Sequence, residues 1–599
     1  MAIVKLKKMT FCGLIEDKAR VLDQLQTMGD LHLIPLTPSR RSREREGGKQ
    51  SEQMMQALRY LRSSPNKRHQ VKRSKNFNSD HVVDQVLKLK SKTRELTDKY
   101  DALQKRIKEL EPWGDFQLPE TGLLAGQRFW FYIIPKRMMN KLKDCDYTWQ
   151  TVHQDNLFCY VVVIAETEPP ENALPVARTH TGSIALSELE HQRDELELAL
   201  EDLQAQRESL TRWTYLLTLH CNEAWNFDNL QQAQILTRDE TSVFAVQGWL
   251  PEKHLQRYQA FAEQQGLALL IEEPTEEDRP PTLLENPPQL AGGEELVNFY
   301  QTPHYGGWDP SAMVFFSFSL FFALILSDAG YAAVFALFLL FKWRQLGKNV
   351  KGRRIRVLAA NTIFLSLLWG VLCGSYFGYA PKPESVFSEL KFFDLNDFSG
   401  MMRLTIAIGV VHIAMANLIK AYQLMPSSQA LGPIGWVGLV VGGFCLWLSP
   451  ADKQAILSIF GKSLLIVGAV LLVLFNSHRR IKHWSDWFLR LLDGLKSLIG
   501  ITQLFGDVLS YMRLFALGLA SASLALTFNH LAEQVHHNLP GPGLFFSIMI
   551  LLLGHGLNLL LCILSGVVHG LRLNFIEFYN WSVSDEGYPF KAFSKKGVH

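Results

Sequence analysis

The chain has 599 residues, with 61 Lys and Arg against 58 Asp and Glu, a net charge of +3 and a mean hydropathy of +0.02. That average hides two solvents: 37 of the charged residues fall in the 292 residues from Trp308 onward, whereas the first 307 residues carry 82. A water-soluble front half joined to a lipid-soluble back half excludes both a plain cytosolic enzyme and an all-membrane transporter, and it leaves room for several soluble modules of about 100–200 residues each.

The seven cysteines, at 12, 145, 159, 221, 373, 445 and 562, form no CxxC and are odd in number. They read as buried free thiols in a reducing compartment, not as a disulfide framework or metal site. The N-terminal run MAIVKLKKMTFCGLIEDKAR lacks the apolar stretch of about 7–15 residues that a signal peptide needs, so the front half is expected to be cytoplasmic. A P-loop ending at Gly461-Lys462-Ser463 would need glycine where Ile456 stands, so no nucleotide site, catalytic residue or cofactor is expected.

Residues 4–36 read as strand, helix, strand, and comparable patches at about 129–166 and 243–273 suggest two more small α/β units. Between them run two heptad patterns. Val86, Leu89, Thr93, Leu96, Tyr100, Leu103, Ile107 and Leu110 alternate by three and four, and Leu189, Leu196, Leu203, Leu210 and Leu217 recur every seven. Helices at about 82–112 and 186–218 are expected to pair as an antiparallel coiled coil of roughly 40 Å, a strut with globular ends, with packing into an ordinary bundle as the alternative. The basic stretch 40–75 contains Glu44, Glu46 and few aromatics, so it reads as a solvated loop ahead of a nucleic-acid or anionic-lipid contact. The Pro-rich segment 272–290 reads as the linker that ends a soluble domain over 1–300 and leads into a membrane domain over 301–599.

Seven apolar stretches follow. The loops 342–356 and 479–490 are basic and belong with the front half on the cytoplasmic side, whereas 381–401 is mixed and acidic and belongs outside. One crossing cannot join the front half to 342–356 on the same side. The stretch 310–341 must therefore cross twice, as a hairpin turning near Asp328-Ala329-Gly330. Eight crossings result, at about 310–326, 327–342, 357–380, 402–424, 430–449, 461–476, 500–533 and 544–578, with both termini inside. The amphipathic run 484–499 is expected to lie along the cytoplasmic interface.

The last two stretches are longer than a simple span of about 20 residues, so they are expected to tilt or bend, and each buries an arginine, Arg513 or Arg572. A charge inside a bilayer costs several kcal/mol unless paired or hydrated, which makes a functional role the default and a snorkelling arginine the alternative. The last helix carries a stripe of His555, Asn558, Cys562, Ser565, His569 and Arg572, spaced by three and four, suited to a water-filled half-channel or, alternatively, to interhelical hydrogen bonds. Asp507, Ser510, Ser521, His530 and Glu533 add polar groups to the preceding helix, Glu577 follows Arg572, and Asp328, His412 and Asn417 either line the path or hold the fold.

Four segments carry a resemblance over essentially the whole chain: SYMRLFALGLA around Arg513, VVHGLRLNFIEF followed by GYPFKAF, LSDAGYA around Asp328, and WGVLCGSYFGY at 369–379. With the strut and eight crossings, they resemble the membrane stator subunit of V-type rotary ATPases, called subunit I in bacteria and subunit a elsewhere. The resemblance implies a multi-domain, non-catalytic subunit in a bacterial inner membrane, with α/β end domains on a coiled-coil strut and an all-α domain of eight transmembrane helices. It implies that Arg513 faces a rotating proteolipid ring and forces each ring carboxylate to release its H⁺ or Na⁺, and that Arg572 and His569 are the second arginine and the histidine one turn before it. Peripheral-stalk subunits of the E/G type, a central-stalk cap of the d/C type and the lipid bilayer are the implied partners, with no nucleic acid. Cys562 stands where eukaryotic members carry a glutamate, so the outer half-channel is expected to draw on His555, Glu533 or His530. A freestanding secondary ion transporter with a cytoplasmic regulatory domain is the competing reading; it lacks internal repeats and leaves the strut unexplained.

Overall fold

The computed structural model describes residues 3–36, 48–75, 77–116, 126–142, 147–170, 173–179, 184–275, 277–382, 384–449, 455–477, 479, 484–583 and 585–597. The first part of the basic stretch, 40–47, and Cys145 lie outside these residues, as do Arg480 and Lys482 of the second basic loop. The chain divides into two compact units: Met1–Cys12, Asp30–Ile34 and Gln247–Ala592 form one, and Gly13–Gly29, Pro35–Val246 and Phe593–His599 the other.

Strands β1 (Leu6–Leu14) and β2 (His32–Ile34) flank helix α1 (Lys18–Met28), as the strand-helix-strand pattern of 4–36 predicts. Helices α2 (Gly48–Arg62) and α3 (Ser79–Leu110) precede a three-stranded sheet of β3 (Arg128–Pro135), β4 (Thr148–Gln154) and β5 (Phe158–Ala165), in the order β3-β5-β4. Then come α4 (Leu186–Leu210), α5 (Thr214–Leu236), β6 (Arg238–Glu240), β7 (Val243–Pro251), α6 (Leu255–Gln265), β8 (Ala268–Glu272) and α7 (Ala291–Tyr300).

The first and third predicted α/β units turn out to be one sheet. Strand β1 pairs antiparallel with β8, Phe11 opposite Leu269, and β2 pairs with β7, Leu33 opposite Gly248, in the order β2-β7-β1-β8 with β6 on β7. Each patch alone offers two strands, too few to bury an apolar face, so they complete one another across more than 200 residues of sequence. In the three-stranded sheet the period-two alternation sorts side chains as expected. Trp130, Tyr132 and Ile134 share a core with Val161 and Val163, while Phe131 points the other way onto Trp113, Ile107 and Leu189.

The heptad positions of α3 and α4 are buried or half-buried, with Val86, Leu89, Ile107, Leu110, Leu189 and Leu203 buried. At the end marked by Val82, Val83 and Val86, Met54 and Leu58 of α2 and Leu217 and Cys221 of α5 join the same cluster. The two predicted helices therefore share one end with a small bundle.

The apolar half holds α8 (Ser311–Leu326), α9 (Ala329–Leu346), α10 (Val350–Cys373), α11 (Val386–Glu389), α12 (Phe398–Leu424), α13 (Leu431–Leu448), α14 (Ala455–Phe475), α15 (Trp484–Ser497), α16 (Gly500–Leu509), α17 (Met512–Asn538) and α18 (Gly543–Arg572). A π-helical turn, Leu573–Phe578, then leads into α19 (Tyr579–Ser582). Among the described residues six helical stretches are long and apolar enough to cross a bilayer: Val350–Cys373, Phe398–Leu424, Ser428–Leu448, Ile456–Phe475, Phe488–Asn538 and Gly543–Ser582. Helix α8 is apolar but has 16 residues.

Contacts with α10 fix the course of α8 and α9. Going up α8, Phe315 shares a cluster with Leu358, Ser319 Oγ lies 3.0 Å from Thr362 Oγ1, and Ser327 Oγ accepts from Trp369 Nε1 at 3.1 Å. Going down α9, Ala329 N–H donates to the Ser375 carbonyl at 2.9 Å, and the Arg356 guanidinium stacks 4.3 Å over Trp343. The chain turns at Ser327, which adopts φ +45°, and doubles back. Several predicted boundaries move: the 186–218 helix breaks at Thr211–Trp213 into α4 and α5, and α10 begins at Val350. Helix α10 ends at Cys373 because Gly374 takes φ +64°, and the predicted 500–533 helix breaks at Ser510–Tyr511 into α16 and α17.

Helices α13 and α14 pack backbone to backbone. A Cβ on Gly435 would lie 2.8 Å from the Gly468 carbonyl oxygen, and one on Gly468 would lie 2.7 Å from that of Gly435. Gly468→Val is expected to force the pair apart and cost about 1–3 kcal/mol, read as a lower unfolding temperature in detergent than the wild type.

Within the first unit, the segment after α19 packs on His32 and Thr282. Lys591 N–H donates to His32 Nδ1 at 2.9 Å, the His32 ring lies 5.4 Å from Phe590 and 5.9 Å from Tyr588, and Phe590 N–H reaches the Thr282 carbonyl at 3.0 Å. Burial, reinforced by the nearby Lys591 charge, pushes the His32 imidazole below its usual pKa. A depressed histidine stabilises the folded contact above its unfolded pKa of about 6.5, and that contribution is lost as pH falls. Protection of the amides of 586–592 against hydrogen exchange, taken relative to the intrinsic rate at each pH, is accordingly expected to fall between about pH 7 and 5, and His32→Gln should flatten that dependence.

Candidate functional site

Two clusters of polar residues in the apolar half involve α17 and α18. The first surrounds Arg513, in the opening turn of α17 just past the break at Ser510–Tyr511. Its Nη2 lies 2.8 Å from Oε1 of Glu577, and the same carboxylate oxygen lies 3.9 Å from Nε of Arg572, the last residue of α18. Glu577 sits on the π-helical turn and its side chain is 2% exposed, against 27% for Arg513 and 51% for Arg572. His569 is half-buried within electrostatic reach of both guanidinium groups. Asp507 on α16 accepts from Trp581 Nε1 at 2.8 Å, and Ser510 donates to the Gly506 carbonyl.

Behind this cluster Tyr511 is fully buried and its hydroxyl lies 2.7 Å from Nδ1 of His412, whose ring stacks on Phe578 at 4.4 Å. Asn417 bonds back to the Ile413 carbonyl, one turn up its own helix. Ser317 of α8 contacts Asn574 of the π-helical turn, so this cluster lies level with the middle of α8.

The second cluster lies near the α8–α9 turn. Asp328 is 2% exposed and accepts four hydrogen bonds: its Oδ1 from Tyr331 N–H and Phe377 N–H, each at 3.0 Å, and its Oδ2 from Ser375 Oγ at 2.7 Å and Gly378 N–H at 2.9 Å. It caps α9 and pins the loop after α10 to the turn. From there a chain of hydrogen bonds runs along α18. Asn529 Nδ2 donates to the Phe377 carbonyl, its Oδ1 lies 2.9 Å from His555 Nε2, and His555 Nδ1 lies 2.7 Å from the Tyr331 hydroxyl. Asn558 Nδ2 donates both to that hydroxyl at 3.0 Å and to the Ser521 carbonyl at 2.9 Å, and Ser521 Oγ meets Cys562 Sγ at 2.9 Å. These directions are satisfied by a neutral imidazole protonated at Nε2, with Tyr331 donating to Nδ1.

The predicted residues therefore separate. Arg513, Arg572, His569, Glu577 and Asp507 come together at one level, and Asp328, His555, Asn558 and Cys562 at the other. Ser565 is half-buried on α18 between them. His530 and Glu533 are exposed, 3.9 Å apart on α17, and join neither cluster. Sequence reasoning missed Tyr331, Asn529 and Trp581. Tyr331 lies three residues after Asp328 in the LSDAGYA run, and its spacing from a helix cap was the available signal.

No family model matches the chain. It is 28% identical over 601 residues to "V-type ATP synthase subunit I" of Chlamydia pneumoniae, covering 86% of each chain. It is 25% identical over 627 residues to "V-type ATP synthase subunit I 1" of Treponema pallidum, covering 96% of this chain and 97% of that one. The relatives of this chain are subunit I proteins of V-type and A-type ATP synthases. The A-type subunit I of Methanocaldococcus jannaschii is 25% identical over 392 residues, 58% of this chain and 55% of its own. The crystal structure of the cytoplasmic N-terminal domain of subunit I, a homolog of subunit a of V-ATPase, aligns with 44% of this chain and 99% of its own length, at 13% identity and a TM-score of 0.20. The six candidate spans describe a multi-pass membrane protein, and the relatives that align with most of it are named subunit I of V-type ATP synthases.

Asp328 provides a direct structural test. Asp328→Ala would orphan four donors, of which the Tyr331 N–H and the Ser375 hydroxyl are buried and cost about 1–3 kcal/mol each before relaxation, whereas Asp328→Asn keeps one carbonyl acceptor. The alanine variant is expected to lower the unfolding temperature markedly and the asparagine variant less. Equal stability of all three proteins in detergent would refute the anchor.

Proposed function

We propose that this chain is the ion-translocating stator subunit of a V-type rotary ATPase. The observation that carries the reading is the pair of arginines converging on one buried carboxylate within an apolar helical domain, in a chain whose relatives are named subunit I. Water is scarce there, so a guanidinium group, which stays ionised, is the strongest fixed positive charge available to a carboxylate in the bilayer. Held opposite a ring of proteolipid subunits, Arg513 would attract each incoming ring carboxylate and lower its pKa, so that the bound H⁺ or Na⁺ leaves. The same fixed charge would block direct leakage between an inner and an outer half-channel.

The hydrogen-bonded series from Asp328 through His555 to Cys562 supplies polar groups on the α17–α18 side, and we assign it to the path on the far side of Arg513. No glutamate is needed at Cys562 for such a path, because His555, Asn558 and Tyr331 already offer donors and acceptors. His530 and Glu533, exposed on α17, would serve its mouth.

Helices α8 and α9, turning at Ser327–Asp328, are read as the first two of eight crossings, which puts both termini and the basic loops on the cytoplasmic side of a bacterial inner membrane. The paired helices α3 and α4 then form a strut, and the soluble half docks to peripheral-stalk subunits of the E/G type and a central-stalk cap of the d/C type, resisting torque. Gly461-Lys462-Ser463 lies within α14 and not in a loop, which agrees with a subunit that has no nucleotide site of its own.

Arg513→Ala is expected to leave the complex assembled while abolishing ATP-driven ion transport in reconstituted vesicles. Arg513→Lys, which keeps the charge but loses the fork, should also fail. Coupled transport at the wild-type rate by Arg513→Ala would sink the reading.

A further inference from the structure

We propose that Glu577 is an internal counter-ion that positions Arg513 for exchange with a second, incoming carboxylate; this deepens the stator reading and rests on it. The geometry is directional. The shared carboxylate lies behind, 2% exposed, and the two guanidinium groups lie in front of it, 27% and 51% exposed. Within the salt-bridged trio two arginines and one glutamate leave a single net positive charge, and Asp507, bonded to Trp581, makes no ion pair with either arginine among the described residues. Arg513 engages Glu577 through Nη2, while its Nη1 is buried with no hydrogen-bond partner among the described residues. One arm of the fork is therefore anchored and the other is unpaired inside the fold, so that a swing of the guanidinium toward a second carboxylate breaks no bond made by Nη1.

The backbone is built for this contact. On an α-helix Arg572 would face residues three and four positions on, and Glu577, five positions on, would point away. The wider π-helical turn Leu573–Phe578 bonds from i to i+5 and brings Glu577 onto the face of Arg572. The other ionisable groups within electrostatic reach are Asp507, which is bonded to Trp581, Tyr511, which is bonded to His412, and His569. Among these, Glu577 is the carboxylate in salt-bridge contact with Arg513.

Without Glu577 the site would present two unbalanced guanidinium groups. A ring carboxylate would be held too firmly and would recover its proton only at lower pH. The test is Glu577→Gln in the intact complex, reconstituted in vesicles, with ATP-driven proton pumping measured against pH. Assembly is expected to survive, pumping at neutral pH to fall about tenfold, and the pH optimum to move about one unit toward acid. Glu577→Asp should show the same shift, but smaller. The double variant Glu577→Gln with Arg572→Gln restores the single net charge and should bring the optimum back toward the wild type.

A merely structural role would lower the rate without moving the optimum, and removal of Arg572 would not relieve it. An unmoved optimum in Glu577→Gln therefore overturns the proposal. If that variant does not assemble, an unmoved optimum in Glu577→Asp does the same. Normal pumping by Arg513→Ala would instead remove the stator reading itself, so the two failures are distinct.

Discussion

A guanidinium group cannot be left alone where water is scarce, and much of the apolar half is arranged around that constraint. Stripping the hydration from Arg513 costs several kcal/mol, which a carboxylate at 2.8 Å offsets only if that carboxylate is itself held in place. Glu577 is held by the π-helical turn, which Ser317 of α8 touches through Asn574 and which Phe578 ties to His412 of α12. Tyr511, at the break between α16 and α17, bonds the same histidine. Four helices thus converge on one charge pair, and the two irregularities of the last helices, the break at Ser510–Tyr511 and the π-helical turn, both lie beside it.

The same economy governs the α8–α9 turn. A helix that ends inside an apolar domain leaves backbone donors without water to satisfy them. Asp328 answers three such N–H groups and one hydroxyl at once, and in doing so joins the start of α9 to the loop after α10. Tyr331, one turn into α9, then carries the network to His555 and Asn558 on α18. A cap residue in this position fixes both the fold and the polar chain that runs from it.

What could be read from the sequence follows a physical pattern. Arg513 and Arg572 stood out because a charge in an apolar run is costly wherever the helix points, and the basic loops located the doubling back at Asp328 because charge sets orientation without any knowledge of packing. The heptads of α3 and α4 were legible because their period is local, but their shared end with α2 and α5 was not, since that requires knowing where Met54 and Leu217 meet. The sheet was misdivided for the same reason: β1 and β8 are separate patches in the sequence and partners only in space. The approach of Glu577 to Arg572 was hidden because regular helical spacing would turn the two away from each other, and its bond to Arg513 because they lie on different helices.

The pairing of β1 with β8, together with the return of residues 588–591 to His32 and Thr282, also imposes an order on biosynthesis. The first strand leaves the ribosome more than 250 residues before its partner, and the segment that packs on His32 emerges only after α18 and α19. Strand β1 must therefore wait, an unpaired edge exposed, until β8 has been made, and the surface around His32 and Thr282 stays uncovered until the last helix has been inserted. A nascent chain stalled within the bilayer half would carry a soluble lobe whose His32 surface is still bare, so completion of the last helix is written into the fold of the first strands.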